Sequence, residues 1–288
     1  TKTFYFRITS ESILNIPLYV RSEEYLQSLL KSERFYYGIF FGLILLSVFY
    51  NFFLFLSIRE KLYIFYALYI GFFGLFYAIY FGFAYELFWP GSPYLAGRMN
   101  LFSANAMVFF GVLFSMEFLD VKKNYPLLFL RLGYILAGLF LTACCFSFFL
   151  DYRLMVIVTS LSGLFFTAVV FFATAGYGLV KRIPLSGVFT VAFFGQIILG
   201  AVWVTSNAGI LTKEFLRLHI IELAASFQVM ALSFGLAYRY NGLKKEKEAL
   251  EIESSEARQS LFAIRRELKV AQQIHSSLLP SSAPEIPG

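Results

Sequence analysis

Phe35–Leu56 reads FYYGIFFGLILLSVFYNFFLFL and holds no charged residue. As a helix rising 1.5 Å per residue it measures about 33 Å, enough to cross a hydrocarbon core of ~30 Å. Six comparable runs follow, at Leu62–Phe83, Met99–Leu119, Leu127–Leu150, Leu154–Val180, Leu185–Gly209 and Phe215–Tyr238. The third is the most dilute, because Asn100, Ser103 and Asn105 interrupt one half of it. The chain therefore reads as an all-α membrane protein, a seven-transmembrane helix bundle occupying residues 35–240.

Composition points the same way. Hydrophobic residues make up 59% of the chain, aromatic residues 20% and charged residues only 15%, where a soluble domain averages ~25% charged. So little charge cannot cover a water-facing surface, and the first partner implied is the lipid bilayer. The formal charge of +6 is not a nucleic-acid footprint, because the basic residues are not gathered on one stretch. They sit between the apolar runs: Arg59 and Lys61, Lys122 and Lys123, Lys181 and Arg182, then Arg239, Lys244 and Lys245 after the last run. The alternate connections are leaner, so the basic side is expected to be cytoplasmic, with the N-terminus outside and the C-terminus inside. Tyr85, Trp89 and Tyr94, around Trp-Pro-Gly-Ser-Pro at 89–93, suit an outer interfacial belt.

The two ends differ from the middle. Phe4, Phe6 and Ile8 alternate with Tyr5 and Arg7, and Leu14, Ile16, Leu18 and Val20 alternate again, which reads as strand–turn–strand. A lone hairpin is barely stable, so residues 1–30 are expected to be a β remnant, the tail of a larger extracellular β domain plus a linker. The first thirty residues lack the basic start, apolar core and cleavage site of a signal peptide.

Residues 241–279 read as a cytoplasmic coiled-coil helix. Ala257, Leu261, Ile264, Leu268, Ala271 and Leu278 recur in steps of four and three with His275 in the one gap, the seam of a two-stranded coil. Traced backward, the register places Leu250 and Leu243 on one seam position and Lys247 and Ser254 on the other. The expected partner is a second copy of the chain, paired through this seam.

Polar residues within the spans carry the remaining interest, since each is costly in lipid without a partner. Asn51, Gln196 and Gln228 fall near mid-depth, while Asn100, Asn105, Asn207, His219 and Glu222 fall toward the outer half. His219 and Glu222 are three apart and share a helix face, with Ser226 one turn on. Asn100, Asn105, Asn207, His219 and Glu222 are thus ligand-pocket candidates if spans three, six and seven pack together. The competing reading is interhelical hydrogen bonding worth ~0.6–2 kcal/mol per contact. Gly38 and Gly42 form a GxxxG read as local helix packing, and the adjacent Cys144 and Cys145 as small apolar membrane residues.

Several functions lose support by what is missing. The last span carries no lysine for a retinal Schiff base, and the mid-span positions carry no charge for transport. His219 and His275, the two histidines of the chain, fall on opposite sides of the membrane, so no metal site is expected.

Four stretches bring a resemblance into view: YFRITSESILNIPL, then YYGIFFGLILLSVFYNFFLFLSIREKLYIFYALY, then FLDVKKNYP, then FQVMALSFGLAYRYNGLKKEKE. Over residues 4–248 the chain resembles the bacterial seven-transmembrane receptors with diverse intracellular signalling modules. That resemblance implies an extracellular β-sandwich sensor ahead of the first span, a plasma (inner) membrane location, and a ligand or protein stimulus outside. Many of its members carry an acidic residue where Gln228 stands.

The stretch ELKVAQQIHSSLLPSSAPEIPG resembles the lead-in to SpoIIE/RsbU-type metal-dependent serine/threonine phosphatases, with Ala271, Ile274, Leu278, Leu279 and Pro280 on the motif and His275 where glutamine is usual. Residues 280–288 would then open a phosphatase domain whose aspartates, holding manganese or magnesium, lie beyond Gly288. This chain itself carries no catalytic residue and no cofactor by that reading. The expectation is a receptor that passes an extracellular stimulus through span seven and the coil to a phosphatase acting on a phosphoprotein. The alternatives are a histidine kinase or cyclase output and, further off, a small-solute transporter.

Overall fold

A computed structural model describes residues 22–207 and 214–278. The expected β remnant at Phe4–Val20 lies outside the described residues, as does the start of the expected phosphatase domain at 280–288. Among the described residues every regular element is helical. The chain divides into two units, Thr1–Leu236 and Ala237–Gly288.

In the first unit, α1 spans Glu23–Ile58. Its N-cap Ser22 accepts the Tyr25 N–H, Glu23 and Glu24 occupy the positive end of the dipole, and Arg59 at φ 62° ends it by bonding back to the Phe55 carbonyl. Helix α2, Lys61–Tyr80, follows at once, so the two form a tight antiparallel pair. A short α3, Phe83–Phe88, starts at Gly82, whose φ of 86° suits glycine. Helix α4 covers Pro93–Phe118, with Ser92 capping Leu95 and proline in the first turn, where its missing N–H costs nothing. Then come α5 (Val121–Asn124), α6 (Leu127–Phe146), α7 (Tyr152–Ala168), a π-helical stretch Val169–Ala175, α8 (Gly176–Val180), α9 (Ser186–Asn207) and α10 (Glu214–Leu278).

Among the described residues five helices are long and apolar enough to cross a membrane: α1, α2, α4, α6 and the part of α10 from His219. The expected fifth span, Leu154–Val180, is not one α-helix but α7, the π stretch and α8 in succession. The π stretch breaks the i to i−4 register and frees carbonyls for other donors. One of them, Thr174 O, accepts the Tyr125 hydroxyl at 3.1 Å. Burial, with Tyr177 close by, pushes the Tyr125 phenol up to about 12, so it stays a donor at neutral pH. The expected sixth span is α9, of which Ser186–Leu199 forms a shorter apolar helix among the described residues.

Helix α2 is the centre of the core. Leu62, Tyr63, Tyr66, Ala67, Ile70 and Phe73 are all buried. Tyr69 stacks nearly parallel on Phe114 of α4, with centroids 6.1 Å apart, and Phe72 on Phe110 at 5.6 Å. Gly74 lets α1 come close, since a Cβ there would lie 2.7 Å from Ile44 Cγ2. Gly38 and Gly42 behave differently: a Cβ at either would meet nothing within 4 Å. The GxxxG therefore does not mediate the local packing expected of it. Phe35, Leu46, Phe53 and Phe234 point outward, as lipid-facing side chains do.

The antiparallel order brings Arg59 and Lys61, Lys122 and Lys123, and Lys181 and Arg182 to one end of this unit, at the junctions α1–α2, α4–α6 and α8–α9. At the other end Arg98 donates to the carbonyls of Ser147 and Leu150 and lies over the rings of Tyr94 and Tyr152. It ties the start of α4 to the α6–α7 connection.

Candidate functional site

Helix α10 carries a column of polar side chains on the face turned into the bundle. His219, Glu222 and Gln228 are all at least nine-tenths buried. Their neighbours along the column come from α1 and α2, whereas the sequence pointed to spans three and six.

The column has three levels. At the first, the His219 imidazole lies 4.4 Å from the Tyr36 ring of α1, tilted by 40°. One turn on, Glu222 is 5% exposed, and among the described residues neither of its carboxylate oxygens has a hydrogen-bond partner. The phenols of Tyr37, Tyr77 and Tyr80 lie within its electrostatic reach, and Glu33 of α1 acts on it in turn. An ionised carboxylate at this depth is costly unless paired, which makes Glu222 the most strained member of the column.

At the second level Gln228 lies near the Tyr69 phenol, and Gln196 of α9 near that of Tyr77. The third level is fully satisfied. The Tyr66 hydroxyl donates to the Val229 carbonyl at 3.0 Å and lies 3.1 Å from Ser233 Oγ, fastening α2 to α10.

The other expected pocket residues go elsewhere. Asn105 is fully buried but bonds the Leu101 carbonyl and Thr159 Oγ1 at 3.0 Å, joining α4 to α7. Asn100 lies on α4 with its carbonyl accepting from Ser103; its side chain makes no hydrogen bond among the described residues. Asn207 is the last residue of α9, and its side chain lies outside the described residues. The structure thus gathers His219 and Glu222 and leaves Asn105 in a separate contact.

Beside the column, α2, α4, α7, α9 and α10 leave a cavity of about 290 Å³, with Gln196 and Gln228 among its walls. Of the described residues, no group of three histidine, cysteine or carboxylate side chains is placed to hold a metal.

In the second unit Leu250, Leu261, Ile264 and Leu268 are each more than half exposed, and Ala257 and Ala271 are exposed beside them. The side chain of Leu278 lies outside the described residues.

A buried polar column in a multi-span helical bundle, on a helix that goes on as a charged segment, suits signalling. A family model described as 7TM diverse intracellular signalling matches residues 33–239. The chain belongs to this family.

No curated protein and no solved structure matches the chain. As a 7TM diverse intracellular signalling domain, the bundle is a multi-pass membrane unit associated with signal transduction. The site residues that sequence reasoning missed are tyrosines: Tyr37, Tyr66, Tyr69, Tyr77 and Tyr80. In an apolar run a tyrosine counts as an aromatic filler, and only its position against α10 makes its hydroxyl matter. The available signal was the spacing Tyr66, Tyr69, Tyr77, Tyr80, which recurs on neighbouring faces of one helix.

Proposed function

We infer that this chain is the receptor and relay portion of a sensor protein whose output is a SpoIIE/RsbU-type serine/threonine phosphatase. The observation that carries the reading is helix α10, which bears the buried polar column at His219–Ser233 and the exposed apolar seam at Leu250–Leu268 in one element. A stimulus that repacks the column moves the helix that bears the seam. A buried carboxylate without a hydrogen-bond partner suits a two-state element, because a small change at it alters the balance of packing.

The exposed seam takes a second copy of the chain. Each leucine-sized side chain covered by a partner contributes ~1.5–3 kcal/mol, and the polar Lys247 and Ser254 positions weaken the near half of the coil. The basic loop ends face the cytoplasm of a plasma (inner) membrane, with the N-terminus outside. The stimulus is an extracellular ligand or protein, and the phosphatase domain would hold manganese or magnesium and act on a phosphoprotein.

In a Cys144→Ala/Cys145→Ala background, cysteine replacing Leu261 should cross-link two copies in native membranes. Cysteine replacing Arg265, off the seam, should not. Equal cross-linking at both positions overturns the coil. Reporters fused after Ser57 and after Tyr240 should both read as cytoplasmic. The parent protein, given manganese and a phosphoserine peptide, should release phosphate; autophosphorylation from ATP or cyclic-nucleotide production would replace the phosphatase by a kinase or cyclase.

A further inference from the structure

The cavity between α2, α4, α7, α9 and α10 has a definite chemistry. Phe73, Phe76 and Phe193 give it aromatic walls, and none of the described residues lining it is acidic or basic. The polar groups at its edge are the phenols of Tyr69 and Tyr77 and the amides of Gln196 and Gln228. Gln228 and Tyr69 neighbour each other, as do Gln196 and Tyr77. One acceptor is left over: Gln196 Oε1 is buried without a hydrogen-bond partner among the described residues.

Glycine keeps the space open. A Cβ built at Gly163, on the wall formed by α7, would meet nothing within 4 Å, and at Gly111 it would touch only the Tyr69 ring. Unfilled apolar space costs its lining the dispersion contacts that a close-packed interior supplies. A buried amide oxygen without a donor adds a desolvation cost. An occupant that removes both costs is flat and apolar, carries no charge, and offers one N–H or O–H. At about 290 Å³ the chamber falls near the small end of ligand pockets, which run from ~300 Å³ upward.

We propose that this cavity binds a small uncharged aromatic molecule with one hydrogen-bond donor, its ring against Phe73, Phe76 and Phe193 and its donor on Gln196 Oε1. The site differs from the His219–Glu222 level of the column, and it stands without the phosphatase reading. Gln228 belongs to both the cavity wall and α10, so an occupant there bears directly on the signalling helix.

The probe is 5-fluoroindole, followed by fluorine NMR with the full chain in lipid nanodiscs; empty nanodiscs correct for partition into lipid. The wild type should show saturable binding. Gly163→Leu, which fills the chamber, should abolish it, and Ile197→Trp, filling it from α9, should do the same if Gly163→Leu does not fold. Gln196→Leu should weaken binding about three- to ten-fold, the range of one hydrogen bond. 2-Fluoronaphthalene, similar in shape but without a donor, should bind the wild type more weakly by a similar factor and be indifferent to Gln196→Leu. Absence of saturable binding, or binding that survives both filling variants, overturns the site. Equal affinity for the two probes overturns the assignment of Gln196 Oε1 as the acceptor.

Discussion

Leu232 and Leu261 lie on the same helix and have opposite surroundings. Leu232 is 0% exposed, packed into the bundle, and Leu261 is 57% exposed in the charged segment that follows. The bundle buries its apolar face within one chain and presents other apolar side chains, such as Phe53 and Phe234, to lipid. The segment after Leu236 keeps helical backbone and apolar periodicity, and its described positions Leu250, Leu261, Ile264 and Leu268 are exposed. Among the described residues the first unit covers a core of its own, whereas the second leaves its apolar positions exposed.

The comparison breaks most sharply at the two leucines. Leu232→Ala should destabilise the bundle by about 2–5 kcal/mol, the range for emptying a packed site, seen as a lowered thermal transition in detergent. Leu261→Ala should leave that transition within about 0.5 kcal/mol and instead lower cross-linking through the coil. Equal losses from both would mean that the seam is buried against the bundle.

A smaller effect sharpens the contrast in the polar column. Tyr66→Phe removes the bond to Val229 O and the contact with Ser233 and should cost about 1–3 kcal/mol, because the carbonyl and hydroxyl stay buried. Thr159→Val, which cuts the Asn105 link between α4 and α7, should cost about 0.6–1.7 kcal/mol, as interhelical hydrogen bonds in membranes do. If Tyr66→Phe proves neutral in the thermal transition, the third level of the column is not what fastens α10 to α2.

The smallest effect belongs to the charged segment. Lys247 approaches Glu251 at 3.9 Å, and Lys244 approaches Glu248 at the same distance, one turn apart and both exposed. Lys247→Ala should change the segment's helicity by no more than about 0.2–0.5 kcal/mol, and that change should shrink with added salt. A larger loss would show that Lys247 takes part in coil pairing beyond its own helix.

The amino-acid sequence determined the membrane class and the order of the helices. Charge-free runs of span length leave hydrogen-bonded helix as the form in which their backbone can sit in lipid. It also gave the basic junctions at Arg59, Lys122 and Lys181, and the charged helix after the last span, because each is local in the chain. Within the candidate site, His219 and Glu222 were legible as a pair from their spacing of one turn.

Tertiary structure alone decided what that pair faces. Helix α2 is apolar nearly all round, so its pattern does not fix its rotation, and no reading of it by itself turns Tyr66 toward Val229 or Tyr77 toward Gln196. Asn105 looks like Asn100 in sequence, yet only Asn105 meets Thr159. The break of the fifth span at Val169–Ala175 was likewise hidden, because π and α turns draw on the same residues and the choice depends on partners such as Tyr125. A cavity shared by five helices is the extreme case: its walls are separated by up to about 160 positions along the chain, and only packing brings them together.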